Sequence, residues 1–506
     1  MKLFKKLASF ILAFAMVMAI AMPSVVMADE ADTTYKLTLT NTVEGHTYEV
    51  YQVFSGTLST KGGKKVLSDL KWGSGVKEGA YKETAKAKAE TLKIETDARA
   101  FAKELVDQDK LSAATKTVQS AAGTTEIDGL AAGYYLVKDT AGSLKDKNAS
   151  YTAYILQVVG DAATPVKSDV PSSEKKVKDI NDSTETGTTN WQDAADWDIG
   201  DKVPFQLKGT VAADYDKYKV YKMTFHDKQS KGLTFDKDSV KVYVNSNLVE
   251  DKTKYEVVTE KLTDGCTFEV RFADLKQIPN VKAGSIITVE YQSELNEAAV
   301  IGSKGNPNTM YMEFSNNPNN EQGGETGKTP EDTVIVFTYK VSVNKVNENN
   351  EKLNGANFTL EKKVKKSTNP EEYEWKPIDK VSGTAGDVFE FKGIDDGDYK
   401  LTEIQAPDNY DKLSDPIYFT VTAGHIDGPK PSLDTFSGDI TSGNVGEMKF
   451  TANKENGTLS TIIQNKPGSS LPETGGMGTT VLYAAGTLMI LAAAAFLVMK
   501  KKAESK

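Results

Sequence analysis

Three polar residues stand at positions where a predicted strand would bury an apolar side chain. Lys345 continues the alternation of VIVFTYKVSVNKV, Glu403 that of GDYKLTEI, and Asn465 that of TLSTIIQN. Side chains two residues apart share one face of a strand, so each of the three extends an apolar face. Burial disfavours charged forms, which pushes a lysine toward a neutral, nucleophilic amine and keeps a carboxylic acid protonated. Such residues are suited to nucleophilic attack assisted by proton transfer.

Other reactive residue types are scarce. The 506-residue chain contains one cysteine and three histidines, which excludes a disulfide framework, a zinc knuckle and a His-rich metal cage. Acidic residues (71) outnumber basic ones (61), and the formal net charge of −10 argues against nucleic acid as the main partner. Cys266 alternates with Phe268 and Val270 and is expected to be a core strand thiol. We therefore expect no metal, no cofactor and no enzymatic site.

The two ends of the chain carry targeting signals. Residues 1–28 combine a basic start, an apolar stretch and small residues before a cleavage point, which is typical of a secretory signal peptide. LPETG at 471–475 is followed by an apolar run over 479–499, long enough to span a bilayer, and then by three lysines that mark the cytoplasmic side. The bulk of the protein is therefore expected outside the membrane.

The segments that must position the polar residues are mostly strands. Apolar and polar residues alternate between turn residues in three segments, 29–167, 168–325 and 333–466, followed by a sorting tail over 467–506. In the first segment, residues from about 77 to 122 have helical spacing instead. The stretch NNPNNEQGGETGKTPED is predicted to be a loop. The pattern predicts an all-β chain of three tandem immunoglobulin-like sandwiches, the first with a helical insertion.

On these features the chain resembles the major, or shaft, pilins of Gram-positive bacteria. The resemblance covers essentially the whole length. Its motifs are the signal peptide with the LPxTG sorting signal, GDYKLTEIQAPDNY (397–410), VNKVNENNEKLNGANFTL (343–360) and TPVKSDVPSSEKKVKD (164–179). The second is similar to the pilin E-box, the third to the opening of a Cna-B type domain, and the fourth to the junction that carries a linking lysine. A Cna-A-like middle domain and a Cna-B-like third domain are implied.

The resemblance also implies Lys–Asn isopeptide bonds inside the sandwiches, each promoted by a buried acid. In the third domain the residues would be Lys345, Glu403 and Asn465. In the middle domain they would be Lys175, Asp227 and Asn316, with Lys176 and Asn317 left open as alternatives.

No such bond is expected in the first domain. Asp139 falls where Glu403 would, but no asparagine ends the strand YILQVVGD, and Gln157 is the nearest amide. The lysine that accepts the next subunit is expected to be Lys167, which lies in a Pro-flanked linker after the last strand of this domain.

The function implied is that of a structural subunit of a covalent, wall-anchored pilus. A pilus-specific (class C) sortase would cleave between Thr474 and Gly475 and transfer the thioacyl group to Lys167 of the next subunit. Identical subunits, minor pilins and peptidoglycan are the implied partners, and a host surface ligand is a further candidate because adhesion is the expected role. The alternative is a monomeric wall-anchored adhesin, or a minor or basal pilin with the same domains.

Overall fold

The structure is a computed structural model that describes residues 33–503, apart from 62–63, 141, 167–169, 319, 379–380, 383–387, 444–447 and 469–476. The described chain divides into two compact units. Unit 1 contains the residues up to Ile180, Gly187–Thr338 and His425–Asp434. Unit 2 contains Asn181–Thr186, Tyr339–Gly424 and the residues from Thr435 onward. Strands predominate in both.

Unit 1 begins with a sandwich of eight strands and two helices. They are β1 (Thr34–Thr42), β2 (Thr47–Lys61), β3 (Lys64–Trp72), α1 (Ala85–Thr91), α2 (Glu95–Asp107), β4 (Lys116–Gln119), β5 (Gly123–Ala131), β6 (Gly133–Asp139), β7 (Ala153–Val158) and β8 (Ala162–Pro165). One sheet has the order β5-β1-β8, and the other has β3-β2-β6-β7 with β4 also paired to β2. The predicted helical insertion is confirmed, and it buries Phe101 and Leu105 against the second sheet.

The second sandwich of unit 1 has twelve strands. They are β9 (Ser173–Val177), β10 (Ala194–Asp196), β11 (Lys202–Thr210), β12 (Met223–Gln229), β13 (Leu233–Val244), β14 (Asn247–Leu248), β15 (Glu256–Val258), β16 (Phe268–Phe272), β17 (Ile286–Leu295), β18 (Asn306–Ser315), β19 (Thr326–Lys328) and β20 (Asp332–Phe337). The sheets run β10-β20-β18-β12-β16-β15, with β19 on β18, and β14-β13-β17-β11-β9. Their inward faces form one apolar core.

Unit 2 is a third sandwich. Its strands are β21 (Tyr339–Val346), β22 (Asn357–Thr368), β23 (Glu371–Pro377), β24 (Val381–Ser382), β25 (Val388–Ile394), β26 (Gly397–Gln405), β27 (Ile417–Ile426, whose last two residues belong to unit 1), β28 (Ser432–Ser442, whose first three residues belong to unit 1), β29 (Thr451–Asn453) and β30 (Thr458–Gln464). The sheets run β24-β25-β21-β30-β29 and β23-β22-β26-β27-β28. The first and last long strands, β21 and β30, lie side by side and parallel.

A terminal helix, α3 (Met477–Ala503), follows the sorting motif. Its stretch Val481–Lys502 is long and apolar enough to cross a membrane, which agrees with the span predicted over 479–499.

Two expectations about connections need correction. The strand β20 lies largely in the predicted third segment, yet it pairs with β18 and β10 of the second sandwich. The run VIVFTYKVSV contains no glycine, proline, asparagine or aspartate to mark a turn, so nothing in the sequence predicted that the chain passes from one sandwich to the next after Thr338. The stretch expected to be a loop contains β19, which pairs with β18. Gly327 fits there because a Cβ would lie 2.2 Å from the Lys147 carbonyl oxygen.

Candidate functional site

The third sandwich brings the side chain of Lys345 to the end of the last strand. Alternation on β21 buries Val341, Val343 and Lys345 on one face, and the parallel register sets Lys345 opposite Ile463. The Lys345 Nζ donates to the Ile463 carbonyl oxygen at 3.1 Å and to the Asn465 Oδ1. Two residues 120 positions apart in sequence are thereby in contact inside the core.

Glu403 completes this cluster from β26. The Asn465 Nδ2 donates to its Oε1 at 3.0 Å, and the Lys345 Nζ lies 3.7 Å from the same oxygen. Neither the Lys345 nor the Glu403 side chain is exposed to solvent. Burial lowers the pKa of the Lys345 amine to about 8, although the Glu403 carboxylate opposes the shift. A nucleophilic amine, an amide and a carboxyl that contacts the amide nitrogen are thus assembled.

A second cluster lies in the core of the second sandwich. The Lys175 Nζ from β9 contacts the Asp227 Oδ2 from β12, and the Tyr291 hydroxyl from β17 lies 2.9 Å from this amine and 2.8 Å from this carboxylate. Lys175 and Asp227 are fully buried and Tyr291 nearly so. Burial lowers the pKa of Lys175 and raises that of Asp227, although each partner's charge opposes the shift. Both shifts favour the neutral amine and the neutral acid.

The asparagine in this second cluster is Asn308, not the expected Asn316. The Asn308 Nδ2 donates to the Tyr291 hydroxyl at 2.9 Å, and its Oδ1 is buried with no hydrogen-bond partner in the described structure. Asp227 on β12 pairs with Met310 on β18, and Asn308 lies two residues before Met310 on the same face of the strand. Asn316 lies six residues after Met310, which is about 20 Å along an extended chain. The Asn316 Nδ2 donates instead to the Leu144 carbonyl oxygen.

The alternatives left open by the sequence lie outside this cluster. Lys176 is partly exposed, and its Nζ is 2.6 Å from the Asp193 Oδ1. The Asn317 Nδ2 donates to the Glu325 Oε2 at 3.0 Å. The geometry therefore favours Lys175 as the amine and Asn308 as the amide.

In the first sandwich the side chain that contacts the buried acid is a histidine. The buried Asp139 accepts from the Thr152 N–H at 2.8 Å and lies 2.9 Å from the Nδ1 of the buried His46. Gln157 donates to the Tyr134 hydroxyl at 3.0 Å, away from this pair. The pair offers no amine nucleophile, and the absence of an isopeptide bond from this sandwich stays a prediction.

Three predicted site residues lie outside the described residues, namely Lys167, Thr474 and Gly475. The roles assigned to them therefore stay predictions. Sequence reasoning missed Tyr291 and Asn308. Asn308 did carry a signal, because it alternates with Met310 and Met312 on the buried face of β18.

Three parts of the chain match known protein families. Residues 339–428 match a prealbumin-like fold domain, residues 199–318 match the Gram-positive pilin backbone subunit 2 Cna-B-like domain, and residues 463–506 match the LPXTG cell wall anchor motif. The last match includes the described helix α3.

Similarity over most of the chain agrees with these domain matches. The trypsin-resistant surface T6 protein of Streptococcus pyogenes serotype M6 is 25% identical over an alignment of 551 positions, covering 94% of this chain and 96% of that protein. The solved structure of the T6 backbone pilin superposes with a TM-score of 0.53 at 19% identity, covering 87% of this chain and 99% of that one. The second likeness supports the shared three-sandwich fold.

Proposed function

We propose that this chain, a homologue of the Gram-positive backbone pilins with an LPXTG cell-wall anchor, is the repeating shaft subunit of a covalent pilus. The observation that carries the proposal is the pair of buried lysine, acid and asparagine clusters in two successive sandwiches. Burying an amine and a carboxyl together is costly, so stability alone explains such a pair poorly. A role in forming a cross-link that transmits pulling force along a fibre explains it better.

The chemistry at each cluster is a single-turnover amide exchange. The neutral Lys345 Nζ attacks the Asn465 Cγ, Glu403 relays one proton from the attacking amine to the departing nitrogen, and ammonia leaves as the new amide bond forms. The contact between the Asn465 Nδ2 and Glu403 Oε1, at 3.0 Å, supports the acid's role at the leaving group. In the second sandwich Lys175, Asn308 and Asp227 take the corresponding roles, and Tyr291 holds the three together.

Polymerisation would use the sorting signal. The sortase cysteine attacks the Thr474 carbonyl, Gly475 leaves with the membrane helix, and Lys167 of the next subunit resolves the thioacyl intermediate. A pilus-specific sortase, identical subunits and minor pilins are the partners in this proposal. The final transfer would attach the fibre to peptidoglycan, and binding of a host surface ligand would be a further role of the assembled fibre.

Intact mass spectrometry of the secreted chain tests the internal bonds. Each bond releases one ammonia, about 17 Da, so two bonds predict a mass about 34 Da below that calculated from the mature sequence. The Lys175→Ala variant should recover about half of this deficit, because only the third-sandwich bond can then form. A wild-type mass equal to the calculated value would contradict autocatalytic cross-linking.

Electrophoresis of wall extracts tests the polymer. With the pilus sortase present, we expect a detergent-resistant ladder that disappears in Lys167→Ala and in Thr474→Ala. The exposed Lys145 supplies a matched control, and Lys145→Ala should leave the ladder intact. A ladder that persists without Lys167 would assign the linkage to another lysine, and a wild-type chain that stays monomeric would favour the wall-anchored adhesin.

A further inference from the structure

The outer face of one sheet in the second sandwich carries a group of metal-binding side chains that the cross-links do not use. His226 projects from β12, where the register places it between Glu269 of β16 and Tyr311 of β18. Its ring stacks on that of Tyr311, with the centroids 4.4 Å apart. His226 is 8% exposed, so its position is fixed although it lies on the outward side of the sheet.

The turn before β16 places two more potential metal ligands, Asp264 and Cys266, near His226. Asp264 accepts a hydrogen bond from the Cys266 N–H at 3.0 Å, which closes the turn and directs both side chains to one place. The Asp264 Oδ2 is 2.7 Å from the His226 Nδ1. One donor atom from each of His226, Asp264 and Cys266 lies within 4.8 Å of the other two.

We propose that His226, Asp264 and Cys266 form a binding site for a divalent transition metal, with Zn²⁺ as the expected ion. Imidazole nitrogen, thiolate sulfur and carboxylate oxygen are the donor types that zinc prefers, whereas calcium and magnesium select oxygen donors alone. Tetrahedral zinc sets its donor atoms about 3.3–3.8 Å apart. The His226 Nδ1 and the Asp264 Oδ2, which are 2.7 Å apart, would therefore separate slightly, and donor atoms as far as 4.8 Å apart would close by about 1 Å.

Two polar side chains, Glu313 and Tyr311, lie near the positions where outer contacts to the metal ligands would form. A histidine bound through Nδ1 carries its proton on Nε2, and metal-bound histidines nearly always donate that proton to a carboxylate or carbonyl. The His226 Nε2 is buried without a hydrogen-bond partner in the described structure, and the Glu313 Oε2 is 3.9 Å from it. The Tyr311 hydroxyl donates to the Asp264 Oδ2 at 2.8 Å and orients that ligand.

A fourth position remains for water or for Glu269. The Glu269 Oε1 lies 3.4 Å from the His226 Nδ1, while its Oε2 accepts from the Arg271 Nε at 2.5 Å. The donors come from residues 226 and 264–266, which are far apart in sequence, and the counts of cysteine and histidine from which no metal was expected did not reveal this mixed group. On binding, the Cys266 thiol releases its proton to solvent and the turn becomes tied to β12.

Titration of the purified full-length chain with metal, after treatment with a chelator, tests the site. We expect one Zn²⁺ per chain by calorimetry, and with Co²⁺ a near-ultraviolet thiolate charge-transfer band. Cys266→Ser should abolish the Co²⁺ band and weaken Zn²⁺ binding at least tenfold. Glu313→Gln, which removes only the outer carboxylate, should weaken binding about tenfold.

Asp251 provides a matched control. It closes a similar turn by accepting from the Thr253 N–H at 3.0 Å, but it lies in another loop. Asp264→Asn should weaken Zn²⁺ binding strongly, whereas Asp251→Asn should leave it unchanged. Failure of the wild-type chain to bind Zn²⁺, a Co²⁺ complex without the thiolate band, or equal losses in the two Asp→Asn variants would overturn the proposal. None of these outcomes bears on the masses that test the cross-links.

Discussion

Glu403→Ala is expected to leave the third sandwich folded but without its cross-link. The variant chain should be about 17 Da heavier, relative to its calculated mass, than the wild type, since ammonia is not released. A cross-link that closes a loop of about 120 residues adds roughly 5 kcal/mol to the free energy of unfolding, if it acts on the unfolded chain as a disulfide does. The melting temperature of this sandwich should therefore fall by about 15–20 °C, as measured by calorimetry.

Glu390 of the same sandwich is the control. It is partly exposed and pairs with Lys340 at 2.6 Å and with Lys392 at 3.1 Å. Ion pairs of this kind contribute little to stability, so Glu390→Ala should keep the bond and nearly the wild-type melting temperature. A Glu403→Ala chain that still shows the full mass deficit would mean that the acid is not required for the reaction.

The third-sandwich cluster could be predicted because each of its members has a strong signal on its own strand. Lys345, Glu403 and Asn465 all continue an apolar face, and a polar residue there must find its partners in the core. The parallel pairing of β21 with β30 then sets the position of the lysine relative to the asparagine. Lys345 lies opposite Ile463, which is two residues before Asn465. Alternation marked each residue on its own strand, and the resemblance to the shaft pilins grouped the three residues into one predicted cluster.

The second-sandwich cluster was predicted only in part, because alternation does not fix the register between strands. The buried face of β18 carries Asn308 near one end, and the same face continues to Asn316 beyond the other. Either asparagine fits the pattern within that strand. What separates them is the pairing of Met310 with Asp227, a relation between strands distant in sequence. Tyr291 was missed for a related reason, since a tyrosine among apolar residues on β17 is ordinary in a core.

Asn308→Ala and Asn316→Ala should therefore give opposite results. Asn308→Ala removes the amide that shares the Tyr291 hydroxyl with Lys175, so the mass deficit should shrink from about 34 to about 17 Da. The bond it loses closes a loop of about 130 residues and contributes roughly 5 kcal/mol, so the second sandwich should melt about 15 °C lower. Peptide mapping should recover the Lys175 peptide unlinked.

Asn316→Ala should keep the full mass deficit, because its Nδ2 bonds the Leu144 carbonyl oxygen rather than the cluster. Losing that buried hydrogen bond leaves the carbonyl without this donor and should cost about 1–3 kcal/mol. The Tyr151 N–H, which donates to the Asn316 carbonyl oxygen at 2.8 Å, should be unaffected, since the substitution keeps the backbone. If Asn316→Ala instead lost 17 Da of the deficit while Asn308→Ala kept it, the assignment of Asn308 as the amide would be wrong. Because the two variants change the same residue type on the same strand face, a general loss of packing cannot produce the expected difference in mass.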